Sequence, residues 1–505
     1  MHDLLAHLAL GFDAALTPAN LGFALIGCLV GTLIGVLPGI GPVATVAMLL
    51  PLTFYLTPIS GLIMLSGIFY GAQYGGSTTA ILVNLPGETS AVVTCLDGYQ
   101  MARQGRAGPA LAAAALGSFF AGTVATVLIA LAAPPLAMVG RSFGAPEYFS
   151  LMTFGLLATV VLASGSVPKA IAMIFLGVLL GMVGTDVNSG NARFDLGIAN
   201  LADGINFVPL SIGLFGLSEI IVTLAHGSQD RSVLGGRIAH LWPSREDFRR
   251  GFPAVLRGTA IGSFLGVLPG GGATLSSFAA YMFEKKLSRQ PERFGHGAIE
   301  GVAAPEAANN AGAQTSFIPM LTLGIPGNAT MALIIGALTI HGIQPGPTVM
   351  TENPQLFWGV VASMWIGNLM LVVINLPLIG LWVSLLRIPY RLLYLAILLF
   401  CAIGVYTVNN SSFDVLLAAG FGVLGYVFIR LRCEPAPLLL GFVLGPLMEE
   451  NLRRSMLISG GDPLIFLQRP ICLALLLATA VLLALIVLPS IRRTREVAFH
   501  EPEGA

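Results

Sequence analysis

Two short stretches of this sequence carry backbone amides with little side chain to cover them. One is Pro38-Gly39-Ile40-Gly41 and the other is Pro269-Gly270-Gly271-Gly272. Amide N–H groups left free at the start of a helix attract an anion, and a carboxylate suits them well. Carbonyls exposed at the other end of a broken segment suit Na⁺. Small polar side chains follow each stretch: Ser77, Thr78, Thr79, Asn84, Glu88 and Thr89 in the first half, Gln314, Thr315, Ser316, Asn328 and Thr330 in the second. Such hydroxyls and amides donate to a carboxylate or ligate a dehydrated cation. They satisfy their own helix backbones equally well. The expected carboxylate contacts are Gly39, Gly41, Ser77, Thr78, Asn84, Gly270, Gly271, Gln314, Thr315 and Asn328. Thr79, Glu88 and Thr330 are the expected cation ligands. Glu88, like Glu306 and Asp186, stays open between an ion path and an interface, a cap or a water-facing place. Asn309 and Asn310 read as polar contacts between segments.

The elements that hold these residues follow from composition. Of 505 residues only 10% are charged, 25 basic against 25 acidic, while 55% are hydrophobic. Soluble domains carry about 25% charged residues, so this chain lacks the groups to cover a water-facing domain. The 61 glycines and 31 prolines, set among so much Leu, Val, Ile and Ala, mark bends and breaks in apolar helices rather than disorder. The class is an all-α polytopic membrane protein with about 10–12 spans of some 20 residues each. A balanced charge without a basic tract argues against nucleic-acid binding. The five cysteines, Cys28, Cys95, Cys401, Cys433 and Cys472, have neither disulfide nor metal-ligand spacing. No phosphate-binding loop or other enzyme signature is present, so no cofactor is expected and a coupling ion, Na⁺ first and H⁺ second, supplies the drive. Met-His-Asp-Leu-Leu lacks the basic start of a cleaved signal peptide.

Clear apolar segments lie near 110–138, 148–163, 170–183, 205–224, 357–381, 392–406, 415–428, 438–447 and 471–488. The basic residues gather at Arg231–Arg257, Lys285–Arg293, Arg430 with Arg432, Arg453 with Arg454, and Arg492–Arg495. By the positive-inside rule these are cytoplasmic. The organisation expected is a first transport half over 1–226, a charged linker over 227–250, a second half over 251–489 and a tail over 490–505.

The halves resemble each other. Gly31, Gly35, Pro38, Gly39 and Gly41 recur as Gly262, Gly266, Pro269, Gly270 and Gly272. Gly71-Ala72-Gln73 recurs as Gly312-Ala313-Gln314, Leu85-Pro86-Gly87 as Ile325-Pro326-Gly327, and Asp97-Gly98-Tyr99-Gln100 as His341-Gly342-Ile343-Gln344. The repeat units are about Asn20–Met138 and Ala254–Leu381. Repeated, Gly/Pro-broken apolar segments point to a secondary transporter, often with inverted copies. The segments 255–268 and 273–283 are short and lie between two basic clusters, so they are expected to form a re-entrant hairpin with the Leu-Pro-Gly turn at its tip.

The set Gly35–Gly41, Tyr70–Gly76, Asn84–Glu88, Asp97–Arg103, Gly266–Gly271, Pro305–Asn310 and Leu323–Gly327 resembles the large membrane subunit of tripartite tricarboxylate transporters, the TctA type, over about 11–488. That resemblance implies a small four-helix membrane subunit and a periplasmic solute-binding protein as partners. It implies ion-driven import of a carboxylate, citrate being the familiar example, across a bacterial inner membrane, and leaves room for homodimerisation. The motion expected is alternating access, elevator-like or rocking. A carboxylate channel and a non-transporting scaffold or sensor are the competing readings.

Overall fold

The computed structural model describes residues 2–37, 41–140, 142–162, 166–186, 189–226, 241–268, 272–385 and 390–487. Gly39, Gly270 and Gly271, positions 227–240 of the expected linker and the expected tail lie outside them. The described chain is helical almost throughout. The first helices are His2–Ala15 (α1), Pro18–Val36 (α2), Pro42–Thr53 (α3), Pro58–Val83 (α4), Val92–Arg103 (α5) and Ala107–Gly140 (α6). Ala145–Leu162 (α7) and Val167–Gly181 (α8) precede a two-stranded hairpin of Gly184–Thr185 (β1) and Ala192–Arg193 (β2). Phe207–Ser211 (α9) and Ser218–His226 (α10) flank a π-helical turn, Ile212–Leu217. Arg245–Val267 (α11), Gly272–Leu287 (α12), Glu300–Thr315 (α13), Phe317–Leu323 (α14), Ala329–Ile340 (α15), Val349–Glu352 (α16) and Pro354–Asn375 (α17) follow. Ile379–Leu385 (α18), Tyr390–Asn409 (α19), Ser412–Arg430 (α20), Pro435–Ile458 (α21), Ile465–Gln468 (α22) and Pro470–Val487 (α23) complete the series. By length and composition, five helical segments among the described residues are suited to crossing a membrane: α2, α6, 207–225, α17 and α20.

Two compact units form, Met1–Gly140 with Phe207–Tyr426, and Arg141–Asn206 with Val427–Ala505. Both stretches of the expected repeat lie in the first. Its centre is α4, buried at every residue from Ser60 to Val83, as befits a helix apolar all round.

Glycine spacing sets the packing in the first unit. A methyl group at Gly27, Gly31 or Gly35 of α2 would lie 2.4 Å from the carbonyl oxygens of Met64, Ile68 and Ala72 of α4 in turn. At Gly258, Gly262 and Gly266 of α11 it would lie 2.3, 2.2 and 2.4 Å from those of Ala304, Ala308 and Gly312 of α13. Each series advances in step, so α2 runs parallel to α4 and α11 runs parallel to α13. Small residues at every fourth position let these backbones touch.

Side-chain bonds fix the other directions. Cys28 and Thr32 of α2 meet the Gly367 carbonyl and Asn375, so α17 runs with α2. Ser118 and Thr126 of α6 meet Asn310 and Gln314, so α6 runs with α13. Asn368 donates to the Phe119 carbonyl at 2.9 Å and Trp365 to that of Thr123 at 3.3 Å, so α6 and α17 are antiparallel. The helices carrying matched motifs, α2 with α11 and α4 with α13, therefore point in opposite directions, and so do α6 and α17, which follow them within the two expected repeat units.

The start of α11 shows why the helix begins ten residues before the expected segment 255–268. Ser244 accepts from the Asp247 amide at 3.1 Å and the Asp247 carboxylate accepts from the Ser244 amide at 3.1 Å, a reciprocal cap. Arg106 pairs with the same carboxylate. Burial pushes the Asp247 carboxyl up, but the hydrogen bonds from Ser244 and Arg106 prevail and hold it below its ordinary value. Its stabilising contribution is thus present above the usual Asp range of about 4 and is lost as pH falls through the folded-state value. Ser244→Ala is expected to cost about 1 kcal/mol, read as a lower thermal midpoint of the purified chain.

In the second unit α8 and α21 run parallel. Gly177 and Gly181 face the Leu438 and Phe442 carbonyls, and Gly441 and Gly445 face Ile174 and Val178, a Gly-x-x-x-Gly pair on each helix. Lys169 donates to the Leu431 carbonyl at one end. At the other end Arg193 holds Glu449 at 2.8 and 3.0 Å and pairs with Asp186. Arg453 closes the ring, 2.7 Å from Glu449 and 3.4 Å from Asp186. Asp186 is therefore an ion-pair partner at a helix end rather than an ion ligand in the apolar interior.

Candidate functional site

Each matched break turns the chain back along the helix it has just left. After Val83, Asn84 takes a left-handed conformation (φ 58°) and the chain returns beside α4. Gly87 packs where a methyl group would lie 2.1 Å from the Gly35 carbonyl oxygen and 2.6 Å from the Gly76 Cα. No side chain fits there. Ser90 comes level with Gln73, bonding its side-chain oxygen at 3.1 Å. From there α5 sets off along α4 in the same direction, with Gly98 against Ile81. In the other half Gly324 (φ 72°) begins the return, and Gly327 lies against Ser316 and the Leu268 carbonyl. Asn328 caps α15, accepting from the Met331 amide at 3.0 Å. α5 thus begins alongside the middle of α4, close to Gly35 of α2, and α15 begins beside the junction of α13 and α14, close to Leu268 at the end of α11.

Two carboxylates meet this arrangement at one place. Glu306 of α13, 1% exposed, accepts from Ser77 of α4 at 2.5 Å and from Thr94 of α5. Glu88, in the first return, accepts from Ser90 and from the Asn309 amide at 3.3 Å. Asn310 donates to Ser118 of α6 at 2.7 Å. Every bonded partner of the two carboxylates is a hydroxyl or an amide, and none is a cation. The Asn309 carbonyl oxygen is buried and bonded to nothing. Beside the cluster lies a cavity of about 20 Å³, lined among others by Tyr74, Ser77, Thr78, Ser118 and Asn375. The Asn375 carbonyl oxygen is also buried and unbonded. Such a volume takes about one water molecule.

The expected site residues divide accordingly. Ser77 reaches across to the other half. Thr78 and Thr79 spend their hydroxyls on the Tyr74 and Gly76 carbonyls of their own helix, and Thr315 does so on Ala311. Gln314 is buried and accepts from Thr126. Asn84 is exposed and Asn328 half-buried. Thr330 is buried and 3% exposed. Gly41 starts α3 with open space around it. Glu88 stands in the carboxylate cluster, bonded to Ser90 of its own half and to Asn309 of the other.

Asp97 is the neighbouring clasp. Its carboxylate, fully buried, accepts from the amides of Gly295, Gly297 and Ala298 at 2.8–2.9 Å and from the Tyr281 hydroxyl at 3.0 Å. It pins the α12–α13 connection onto α5 and so sets where Glu306 falls. Asp97→Ala leaves buried amides unpaired, each costing about 1–3 kcal/mol. The expected result is a markedly lower thermal midpoint and less folded protein in the membrane.

The description "Tripartite tricarboxylate transporter TctA family" matches residues 21–440. The chain belongs to this family. A 52.8 kDa protein of Agrobacterium vitis, described as uncharacterized and placed in the TAR-I ttuC' 3' region, is 60% identical over 503 residues, all of both chains. A second Agrobacterium vitis protein, from the TAR-II ttuC' 3' region, is 62% identical over 242 residues, its whole length and 48% of this chain. No solved structure matches. Membership makes this a multi-pass membrane protein of a tripartite transport system.

Within this TctA chain the sequence reading misses Gln73, Ser90, Thr94 and Ser118 as site residues. Gln73 carries the one available signal, since it recurs as Gln314. Ser90 and Thr94 become neighbours of Glu306 only through the return at Gly87.

Proposed function

We propose that this chain is the permease subunit importing a di- or tricarboxylate across a bacterial inner membrane. Import is driven by a cation gradient through alternating access between two inverted repeats. A small four-helix membrane subunit and a periplasmic solute-binding protein work with it. The observation that carries this reading is the opposed running of α2, α4 and α17 against α11, α13 and α6, with a buried polar cluster joining the two sets. Helix ends and hydroxyls at the returns supply donors for a carboxylate, and the paired carboxylates supply a place for the coupling cation. The Gly-rich stretches 38–41 and 269–272 contain no arginine, so backbone amides are the donors proposed for the anion. A channel has little use for paired carboxylates held by hydroxyls and amides, and a scaffold has little use for two returns.

Proteoliposomes holding all three subunits test this with radiolabelled di- and tricarboxylates. Saturable uptake of at least one, lost when any subunit is omitted, is expected. Uptake of none, with the binding protein shown to be loaded, would overturn the reading.

A further inference from the structure

Gln73, which the proposed function leaves without a role, offers a second acceptor to both serines of the carboxylate cluster. Ser77 lies 2.5 Å from Glu306 and 3.0 Å from the Gln73 backbone carbonyl. Ser90 bonds Glu88 and lies 3.1 Å from the Gln73 side-chain oxygen. Each hydroxyl therefore has two places to send one proton.

With the carboxylates ionised, Ser77 and Thr94 donate to Glu306, and Ser90 and Asn309 donate to Glu88. With Glu306 protonated, its new O–H donates to Ser77 Oγ while Ser77 turns its own proton to the Gln73 carbonyl. With Glu88 protonated, Ser90 turns to the Gln73 side-chain oxygen, and the unbonded Asn309 carbonyl oxygen supplies a further acceptor once that amide rotates. Both protonation states are satisfied, which a site built for one state alone does not need. A buried polar atom left unpaired costs about 1–3 kcal/mol, so this double provision is a built feature.

We propose that Glu306 with Ser77 and Glu88 with Ser90 form a paired proton-carrying relay, fed from the cavity beside Ser77, in which Gln73 serves both serines only as the alternative acceptor and carries no proton itself, and that the coupling ion is H⁺. This rests on the transport reading above. The transfer balances: a hydronium ion in the cavity gives a proton to Ser77 Oγ as the Ser77 O–H breaks and a new O–H forms on Glu306, leaving water and an unchanged serine. The titratable groups facing Glu306 are Glu88, Tyr74 of α4 and Cys95 of α5. Farther along α5, Asp97 is held by Tyr281 of α12 and by amides. On α11 the Arg257 guanidinium is committed to Glu284 of α12. At the position matching Glu306 stands Leu65, and Ile318 and Ile334 match Ser77 and Thr94, so the relay belongs to one of the two matched interfaces.

Infrared difference spectroscopy of the purified full chain in lipid nanodiscs, stepped in pH, tests this without any substrate. Two carboxylic C=O components should grow as pH falls, the same in NaCl and KCl. Glu306→Gln should remove one and Glu88→Gln the other. Gln73→Leu removes the alternative acceptor of Ser90 and keeps that of Ser77. It should lower the midpoint of the Glu88 component by up to about one pH unit, the equivalent of one hydrogen bond, and leave the Glu306 component in place. Components that answer to Na⁺ at fixed pH, or none removed by Glu306→Gln in a chain that still folds, would overturn the relay. The transport reading would survive that result, and absent uptake would not move these bands.

Discussion

Glu306→Gln is expected to abolish accumulation of substrate and leave, at most, equilibration across the membrane. The amide keeps the shape of the carboxyl and retains one hydroxyl as a donor partner, but it carries no proton and no charge. One proton moved per carboxylate across one pH unit supplies about 1.4 kcal/mol, which supports roughly tenfold accumulation. The variant ratio should fall to one. Its thermal midpoint should fall only modestly, because the amide oxygen still accepts from one hydroxyl and a single mismatched hydroxyl costs at most about 1–3 kcal/mol. Glu306→Leu, by contrast, leaves both Ser77 and Thr94 without this acceptor and should lower stability further. Comparing the two separates loss of coupling from loss of fold.

The second large effect concerns stability. Gly262→Ala is expected to destabilise the chain by about 1–3 kcal/mol, and Gly262→Val by more. The new methyl group would stand 2.2 Å from the Ala308 carbonyl oxygen and 2.7 Å from its Cα. These are backbone atoms, so α11 and α13 must separate and the contacts at Gly258 and Gly266 weaken with them. The matched change Gly31→Ala meets the Ile68 carbonyl at 2.4 Å and should behave alike. Gly22→Ala is the control. It lies on the same helix α2 with nothing within 4 Å, and a glycine-to-alanine change in an open helix position gains up to about 1 kcal/mol. Thermal unfolding of the four variants in one lipid or detergent gives the order directly.

Much of the fold is legible in the sequence because what shapes it most strongly acts locally along the chain. The scarcity of charge names the solvent, and the apolar runs at 110–138 and 148–163 become α6 and α7 with ends shifted by a few residues. The recurring glycines lie where parallel helices touch, which is why they recur. The site is less legible. Glu306 draws attention as a lone carboxylate, yet nothing in its neighbourhood of sequence announces Ser77, 229 positions earlier, or Thr94. Their approach depends on the return at Gly87, whose course is fixed by the space beside Gly35 and Gly76. Thr78 and Thr79 share the polar run with Ser77, and helical geometry turns their hydroxyl protons onto their own backbone, a bond that the sequence does not announce. Asn328 caps α15, which is equally a matter of local backbone course.

Coupled carboxylate import is measured most directly as the steady-state ratio of internal to external substrate in proteoliposomes holding the three subunits. Accumulation above equilibration is expected under an inward ion gradient, returning to one when an ionophore collapses that gradient. A ratio of one under every imposed Na⁺ and H⁺ gradient, with substrate still crossing, would contradict coupled import and describe a channel.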